Sequence, residues 1–296
     1  MAARVAVIGG GAVGTVIAAA AQRAGHQVSV CVRNRTGPLI LHRDGRRREL
    51  AVTVVDDQTT VSPVDWVFLA TKAYDVVSAA RWLPPLLGGD SVAVVCQNGI
   101  NHVERVSPFT GACPILPAVV SIVASRTGPG EVVHRQGGAL TVAQGVEAAA
   151  LRDLFGDTDE LDIVLSADFE RIVWLKFLGN LAAAPVTTLT MRPLGVLRSA
   201  DLHPLLEQLV SEAVNVATAS GVDLRESDVP ETIRLLACLD PAAVTSMQSD
   251  RAAGRPLEIE LLTGELVRRA DQLGLPVPWN RAMLSLLRHL ATPGDQ

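Results

Sequence analysis

The 296-residue sequence predicts an α/β protein: an N-terminal Rossmann-type doubly wound sheet followed by an all-helical C-terminal domain. Three observations predict it. Residues 4 to about 165 alternate short β-branched runs with helical or turn stretches, the pattern of a sheet covered on both faces and largely parallel at its start. A glycine-rich turn joins the first of these runs to a helical stretch, as a βαβ unit requires. Past Ser166 the apolar residues fall at helical spacing and no strand pattern returns. The boundary is placed near Ala167, giving domains of residues 1–167 and 168–296.

The elements follow in chain order. The uncharged, Ala/Val-rich stretch between Arg4 and Arg23 has the look of a signal peptide or a short membrane span. Gly9, Gly10, Gly11 and Gly14 argue otherwise, because successive glycines weaken an apolar helix. The better parse is a buried strand Arg4–Ile8, a glycine turn, and a helix through Arg23, with no removed segment. Further strands are expected at Gln27–Val32, Val52–Val55, Trp66–Ala70, Ser91–Cys96, Ile115–Val120, Val132–His134 and Leu140–Ala143. The Gly-dense residues 126–146 look like hairpins at the far edge. Arg46, Arg47 and Arg48, after Asp44-Gly45, read as a solvated turn, and so do the acidic residues 157–162. Phe169, Ile172, Val173, Trp174 and Phe177 begin the helical half, with a kink or break at Pro185. Leu205 to Ala217 give a second helix stopped at Gly221. Ile259 to Leu273 give a third, stopped by Gly274 with Pro276 and Pro278 beyond. No other uncharged run is expected to span a bilayer.

Composition narrows the function. A 48% hydrophobic, 19% charged chain of mean hydropathy +0.29 builds a sizeable core. The net charge of −5 argues against a phosphate-tracking surface and so against nucleic acid. Cys31, Cys96, Cys113 and Cys238 lie far apart, and the six histidines show no ligand spacing. Neither a disulfide framework nor a metal site is expected, and reduced thiols fit a cytoplasmic setting. Of the 26 basic residues only Lys72 and Lys176 are lysine. A position that keeps lysine in such a chain is a candidate for proton donation or a compact ammonium contact.

Gly9-Gly10-Gly11-Ala12-Val13-Gly14 satisfies G-x-G-x-x-G in the strand–turn–helix context that gives the motif meaning. Gly9 allows the tight turn, Gly11 the close approach of a pyrophosphate, and Gly14 the packing of helix on strand. The diphosphate then lies over the helix N-terminus. The second strand ends Cys31-Val32-Arg33-Asn34-Arg35, with no carboxylate for a ribose 2′-hydroxyl. Two arginines suit a 2′-phosphate, so NADP(H) is expected over NAD(H), with Arg33 as the contact and Arg35 as the alternative. Lys72, in Thr71-Lys72-Ala73-Tyr74-Asp75, and Asn98, in Gln97-Asn98-Gly99, each follow a strand. That is the ligand-binding edge of an open α/β sheet.

The ordered set Gly9–Gly14, Arg33, Thr71-Lys72, Gln97-Asn98-Gly99, Lys176 with Asn180, Thr245-Ser246-Met247 with Asp250, and Glu258 resembles the ketopantoate reductases (2-dehydropantoate 2-reductases) over nearly the whole chain. The resemblance implies Lys176 as general acid and Asn98 as a contact to both substrate and cofactor. It implies Lys72 beside the cofactor, Asn180 on substrate, Ser246 on the substrate carboxylate and Glu258 on the nicotinamide ribose. The implied reaction is hydride transfer from NADPH to a 2-oxo acid, 2-dehydropantoate to (R)-pantoate in pantothenate biosynthesis. Independently, Lys176 and Asn180 are one turn apart on one helical face. The apolar neighbours of Lys176 should lower its pKa toward the operating pH.

Three positions depart from the family pattern: Ala184, Leu194 and Ala243 stand where asparagine is common. Loss of amide donors leaves a different branched 2-oxo acid open as substrate. A non-catalytic NADP(H)-sensing module is the third reading, against which the two retained lysines speak. The expected partner is a small 2-oxo acid, with no nucleic acid and no membrane. A monomer or homodimer is expected, the helices after Leu205 offering a face for the latter.

Overall fold

The computed structural model describes residues 2–35, 37–156 and 158–290 and forms two compact units, Met1–Phe169 and Glu170–Gln296. Asp157 of the acidic run lies outside the described residues. The N-terminal unit runs β1 (Arg4–Ile8), α1 (Ala12–Arg23), β2 (Gln27–Cys31), β3 (Ile40–Arg43), β4 (Arg46–Glu49), β5 (Thr53–Val55), β6 (Val64–Leu69), α2 (Val76–Ala80), α3 (Leu83–Leu86), β7 (Leu87–Val95), α4 (His102–Val106), β8 (Ile115–Gly128), β9 (Glu131–Ala143), α5 (Val146–Phe155) and β10 (Asp162–Ser166).

Six strands pair in parallel in the order β5-β2-β1-β6-β7-β8. Counting these in chain order gives 3-2-1-4-5-6, the doubly wound arrangement. Strand β1 shows why both faces are covered. Val5 and Val7 enter one apolar core with Ala18–Ala21, Phe68, Leu151 and Phe155, while Ala6 and Ile8 enter the other with Leu69, Leu83, Leu86 and Val106. Side chains of a strand alternate between faces, so an unbroken apolar run needs two cores. The Phe68 and Phe155 rings meet edge to face at 5.8 Å.

Beyond β8 the sheet departs from expectation. The strands expected at Val132–His134 and Leu140–Ala143 are parts of one strand, β9, which pairs antiparallel with β8 in one long irregular hairpin. Arg46–Arg48 are not a turn but most of strand β4. The turn is Asp44-Gly45 alone, both residues at positive φ (51° and 72°), as a two-residue hairpin with right-handed strands demands. β3 joins β9 in parallel, leaving arginine-rich β4 as an edge strand that charge protects from further pairing.

The C-terminal unit is helical: α6 (Phe169–Thr190, beginning on the last residue of the first unit), α7 (His203–Ala219), α8 (Asp228–Cys238), α9 (Ser246–Ala252), a π-helical turn at Glu260–Gly264, α10 (Glu265–Leu273) and α11 (Pro278–Arg288). α7 packs against α8, α10 and α11. Pro185 does not break α6, which continues to Thr190 with Pro185 buried among Ala182–Ala184 and Val186. Tertiary burial there outweighs the missing N–H. Gly221 and Gly274 close α7 and α10 at positive φ, each with a backward bond from the following residue: Val222 N to Ala217 O at 3.0 Å and Leu275 N to Ala270 O at 2.9 Å. Pro278 is a start rather than a stop, occupying the first turn of α11. The buried Glu212 carboxylate accepts from the Trp279 and Asn280 N–H groups there, at 2.8 and 2.9 Å. By length and composition α6 also matches a membrane span, but it carries Lys176 and so is not an uncharged run, and two-thirds of that stretch is buried inside the protein.

Candidate functional site

Four loops of the N-terminal unit leave the carboxyl ends of neighbouring strands in register. Gly9 N donates to Cys31 O, Ala70 N to Ile8 O and Cys96 N to Leu69 O, each at 2.9 Å. The structure thereby sets Gly9–Gly14, Arg33, Thr71-Lys72 and Gln97-Asn98-Gly99 along one edge of β2-β1-β6-β7, where ligands of such sheets gather.

The three motif glycines differ in what a side chain would meet. Gly9 stands at φ +111°, and a Cβ there would press on Ala70 O at 3.0 Å. A Cβ at Gly14 would lie 1.9 Å from Gly9 O, so only glycine lets α1 sit this close to its turn. At Gly11 a Cβ would meet nothing within 4 Å. Gly11 also caps α1 without a side chain, with Ala12 and Val13 beginning the helix. Open space at the N-cap, beside a helix start that no side chain caps, is what a pyrophosphate needs there, so the residues present fit a dinucleotide.

Asn98 is half-buried and its loop is firmly held. Buried Gln97 donates through Nε2 to Thr71 O and Oγ1, both at 3.1 Å, tying this loop to that of Lys72. Arg105 donates to Gln97 Oε1 at 3.2 Å, to Asn98 O at 3.2 Å and to Asn101 Oδ1, while His102 Nε2 lies 2.9 Å from Gln97 O. Gly99, at φ +101°, supplies the turn. Arg105 and His102 escaped the sequence reading because nothing in their spacing signals a contact five to eight residues back. Lys72 is half-buried and precedes a short 3₁₀ turn, Ala73–Asp75. Exposed Arg33 donates to Asp75 of that turn at 3.0 Å, whereas Arg35 is held toward β5 by Val54 O at 3.0 Å.

In the C-terminal unit Lys176 and Asn180 are both half-buried on α6. Around them Trp174, Phe177 and Leu178 are almost fully buried, the first two packed edge to face at 5.5 Å. Arg269 lies over the Trp174 ring, 5.9 Å from its centroid, and is itself bound to buried Glu265 at 2.8 Å. Burial pushes the Glu265 carboxyl up, but hydrogen bonds from Arg268 and Arg269 outweigh it and hold the group below its ordinary range. Ser246 is exposed at the start of α9, where Thr245 accepts from Gln248 N at 3.2 Å. Glu258 is buried just before the π-helical turn. Ala184 is buried one turn past Asn180, and Leu194 N donates to Ala243 O at 2.8 Å, so two of the three departing positions adjoin.

The ketopantoate reductase PanE/ApbA family pattern matches residues 5–147, and its C-terminal counterpart matches residues 168–291. The chain belongs to the ketopantoate reductase family. Among its relatives, the 2-dehydropantoate 2-reductase of Caulobacter vibrioides is 35% identical over 97% of this chain and 99% of that protein. A ketopantoate reductase structure from Ralstonia eutropha superposes with a TM-score of 0.89 at 30% identity, covering 96% of this chain and 97% of the other. A dimeric ketopantoate reductase from Staphylococcus aureus does so at 0.87 and 27%, with 96% and 97% covered. The chain is thus an oxidoreductase of the ketopantoate reductase family, with a nucleotide-binding Rossmann-type unit and a helical one.

Proposed function

We propose that this protein reduces a 2-oxo acid to a 2-hydroxy acid with NADPH, and that the reaction is 2-dehydropantoate to (R)-pantoate. The observation that carries the reading is the half-buried Lys176 with Asn180 one turn on, in a chain with only one other lysine and within this family. NADPH, when bound, supplies the hydride. Gly9–Gly14 would hold its diphosphate. Arg33 would hold the 2′-phosphate, a role Arg35 serves less well because its guanidinium is turned toward β5. Lys72 and Glu258 would contact the cofactor, the latter at the nicotinamide ribose.

Lys176 donates the proton that neutralises the developing alkoxide; its ammonium also favours that charge before transfer. Asn98 and Asn180 orient the substrate by hydrogen bonds, and Ser246 donates to its carboxylate. A homodimer fits the dimeric Staphylococcus aureus relative. A second reading keeps this chemistry and changes the substrate to a less hydroxylated branched 2-oxo acid. Buried Ala184 on the Lys176 helix, and the adjoining Leu194 and Ala243, favour it.

The test follows NADPH absorbance with 2-dehydropantoate and a panel of other 2-oxo acids. Lys176→Ala should lower turnover by ~10²-fold or more. Near-normal turnover in that variant removes Lys176 from the mechanism, and NADPH binding without turnover on any acid favours a sensor.

A further inference from the structure

Lys176 and Asn180 belong to a stripe that runs further along α6. Eleven residues separate Lys176 from Thr187, three turns with an offset of only about 20°, so Thr187 lies on the same face about 16 Å along the axis. Thr187 is fully buried. Its Oγ1 donates to Ala183 O at 2.8 Å, which uses its one hydrogen. The 2.8 Å contact between Thr187 Oγ1 and Thr245 Oγ1 is therefore donated by Thr245, which in turn accepts from Gln248 N. The result is a directed chain from α9 into α6: Gln248 N–H to Thr245, Thr245 O–H to Thr187, Thr187 O–H to Ala183. A second tie lies beside it. Arg251, in the last turn of α9, donates to Thr188 O and, at 3.3 Å, to Leu189 O. These are last-turn carbonyls of α6 that no helical N–H reaches.

Both ends of the α9 segment are thus fastened to the Lys176 helix, and Ser246 lies between the two fastenings. We propose that Thr187 is a positioning residue that, through Thr245, holds Ser246 in register with the Lys176–Asn180 face and so sets binding of the substrate carboxylate. The proposal rests on the reading of Ser246 as the carboxylate donor.

The test measures kcat, the KM for the 2-oxo acid, the KM for NADPH and the melting temperature of the full-length enzyme and three variants. Thr187→Val keeps shape and removes the hydroxyl, Thr187→Ser restores it, and Thr245→Val breaks the same bond from the half-buried side together with the Gln248 N–H bond that caps α9. Thr187→Val should raise the KM for the 2-oxo acid about tenfold, the scale of one lost hydrogen bond, and Thr245→Val by at least as much, with the KM for NADPH within about twofold of wild type in both. Thr187→Ser should return the 2-oxo acid KM to near wild type. The proposal is overturned if a folded valine variant keeps its 2-oxo acid KM, or if both KM values rise together. It is equally overturned if melting falls with no KM split. If Thr187→Val does not fold, Thr187→Ala, which also lacks the hydroxyl and leaves the Thr245 cap of α9 in place, replaces it on the same criteria. Wild-type turnover with an unmoved KM refutes only the role of Thr187; no wild-type turnover on any 2-oxo acid refutes the functional reading beneath it.

Discussion

Two glycines of the same loop should fail in opposite ways when changed to alanine. At Gly14 the new methyl would stand 1.9 Å from Gly9 O, a backbone atom, where 3.0 Å is the closest approach real Cβ atoms show. The turn must open by about an ångström, which costs ~1–3 kcal/mol as in other overpacked sites. Because the atom met is backbone and cannot rotate away, the cost falls toward the upper end and exceeds the ~1 kcal/mol gained by replacing glycine within a helix, a net loss of about 1–2 kcal/mol. At Gly11 the methyl meets nothing within 4 Å, and φ −83° suits alanine. Gly11→Ala should therefore melt within ~1 kcal/mol of wild type, the residual loss coming from a poorer N-cap. On the proposed placement of the diphosphate over this turn, its methyl projects into the space the cofactor needs. Losing one or two charge-assisted bonds at ~1.5–3 kcal/mol each should weaken NADPH binding by about tenfold or more. Thermal melts and a fluorescence titration with NADPH separate the two outcomes. A Gly11→Ala protein that binds NADPH as tightly as wild type would refute the placement of the pyrophosphate, and a Gly14→Ala protein that melts like wild type would refute the packing argument.

Other outcomes follow from the same geometry. Arg33→Ala should weaken NADPH by roughly 10- to 100-fold and NADH by far less, read by parallel titrations; equal losses would undo the 2′-phosphate assignment. Hydrogen bonds from Arg171, at 2.6 and 3.0 Å, hold the Asp228 carboxyl below its ordinary 3.8. A carboxyl depressed in the folded state stabilises the protein above its unfolded pKa, and that contribution disappears as pH falls through the folded value. The urea midpoint should decline between about pH 5 and pH 2 in the wild type, and less steeply in Asp228→Asn, which starts lower. Parallel declines in the two proteins would show that this pair does not govern the acid limb.

What the sequence made legible was whatever a periodic pattern or a backbone requirement writes locally. Val5–Ile8 reads as a doubly buried strand because every residue is apolar, and Gly221 and Gly274 read as helix stops because positive φ favours glycine. β4 was hidden because an edge strand of Arg-Arg-Arg-Glu has no apolar alternation, although Asp44-Gly45 was a hairpin signal in plain view. β9 looked like two strands because Gly137 and Gly138 interrupt its apolar run. α9 has only seven residues, too few for a period to emerge, so Ser246 entered through family resemblance and not through pattern. The supports of the candidate site were the least visible. Gln97 reaching Thr71, Asp75 meeting Arg33 and Thr187 meeting Thr245 join residues 26, 42 and 58 positions apart, and no local spacing encodes such pairs.

The π-helical turn at Glu260–Gly264, closed by Gly264 N on Ile259 O at 3.0 Å, amounts to an α-helix carrying one surplus residue. Glu258 enters on its upstream side, while Glu265 and its arginines anchor the downstream side. Excising a single residue from this turn would relax it to ordinary α geometry and swing Glu258 through about 100° relative to that anchor. The bearing of this carboxylate is therefore written in the count of residues, and a one-codon deletion there would turn Glu258 away while leaving its identity intact.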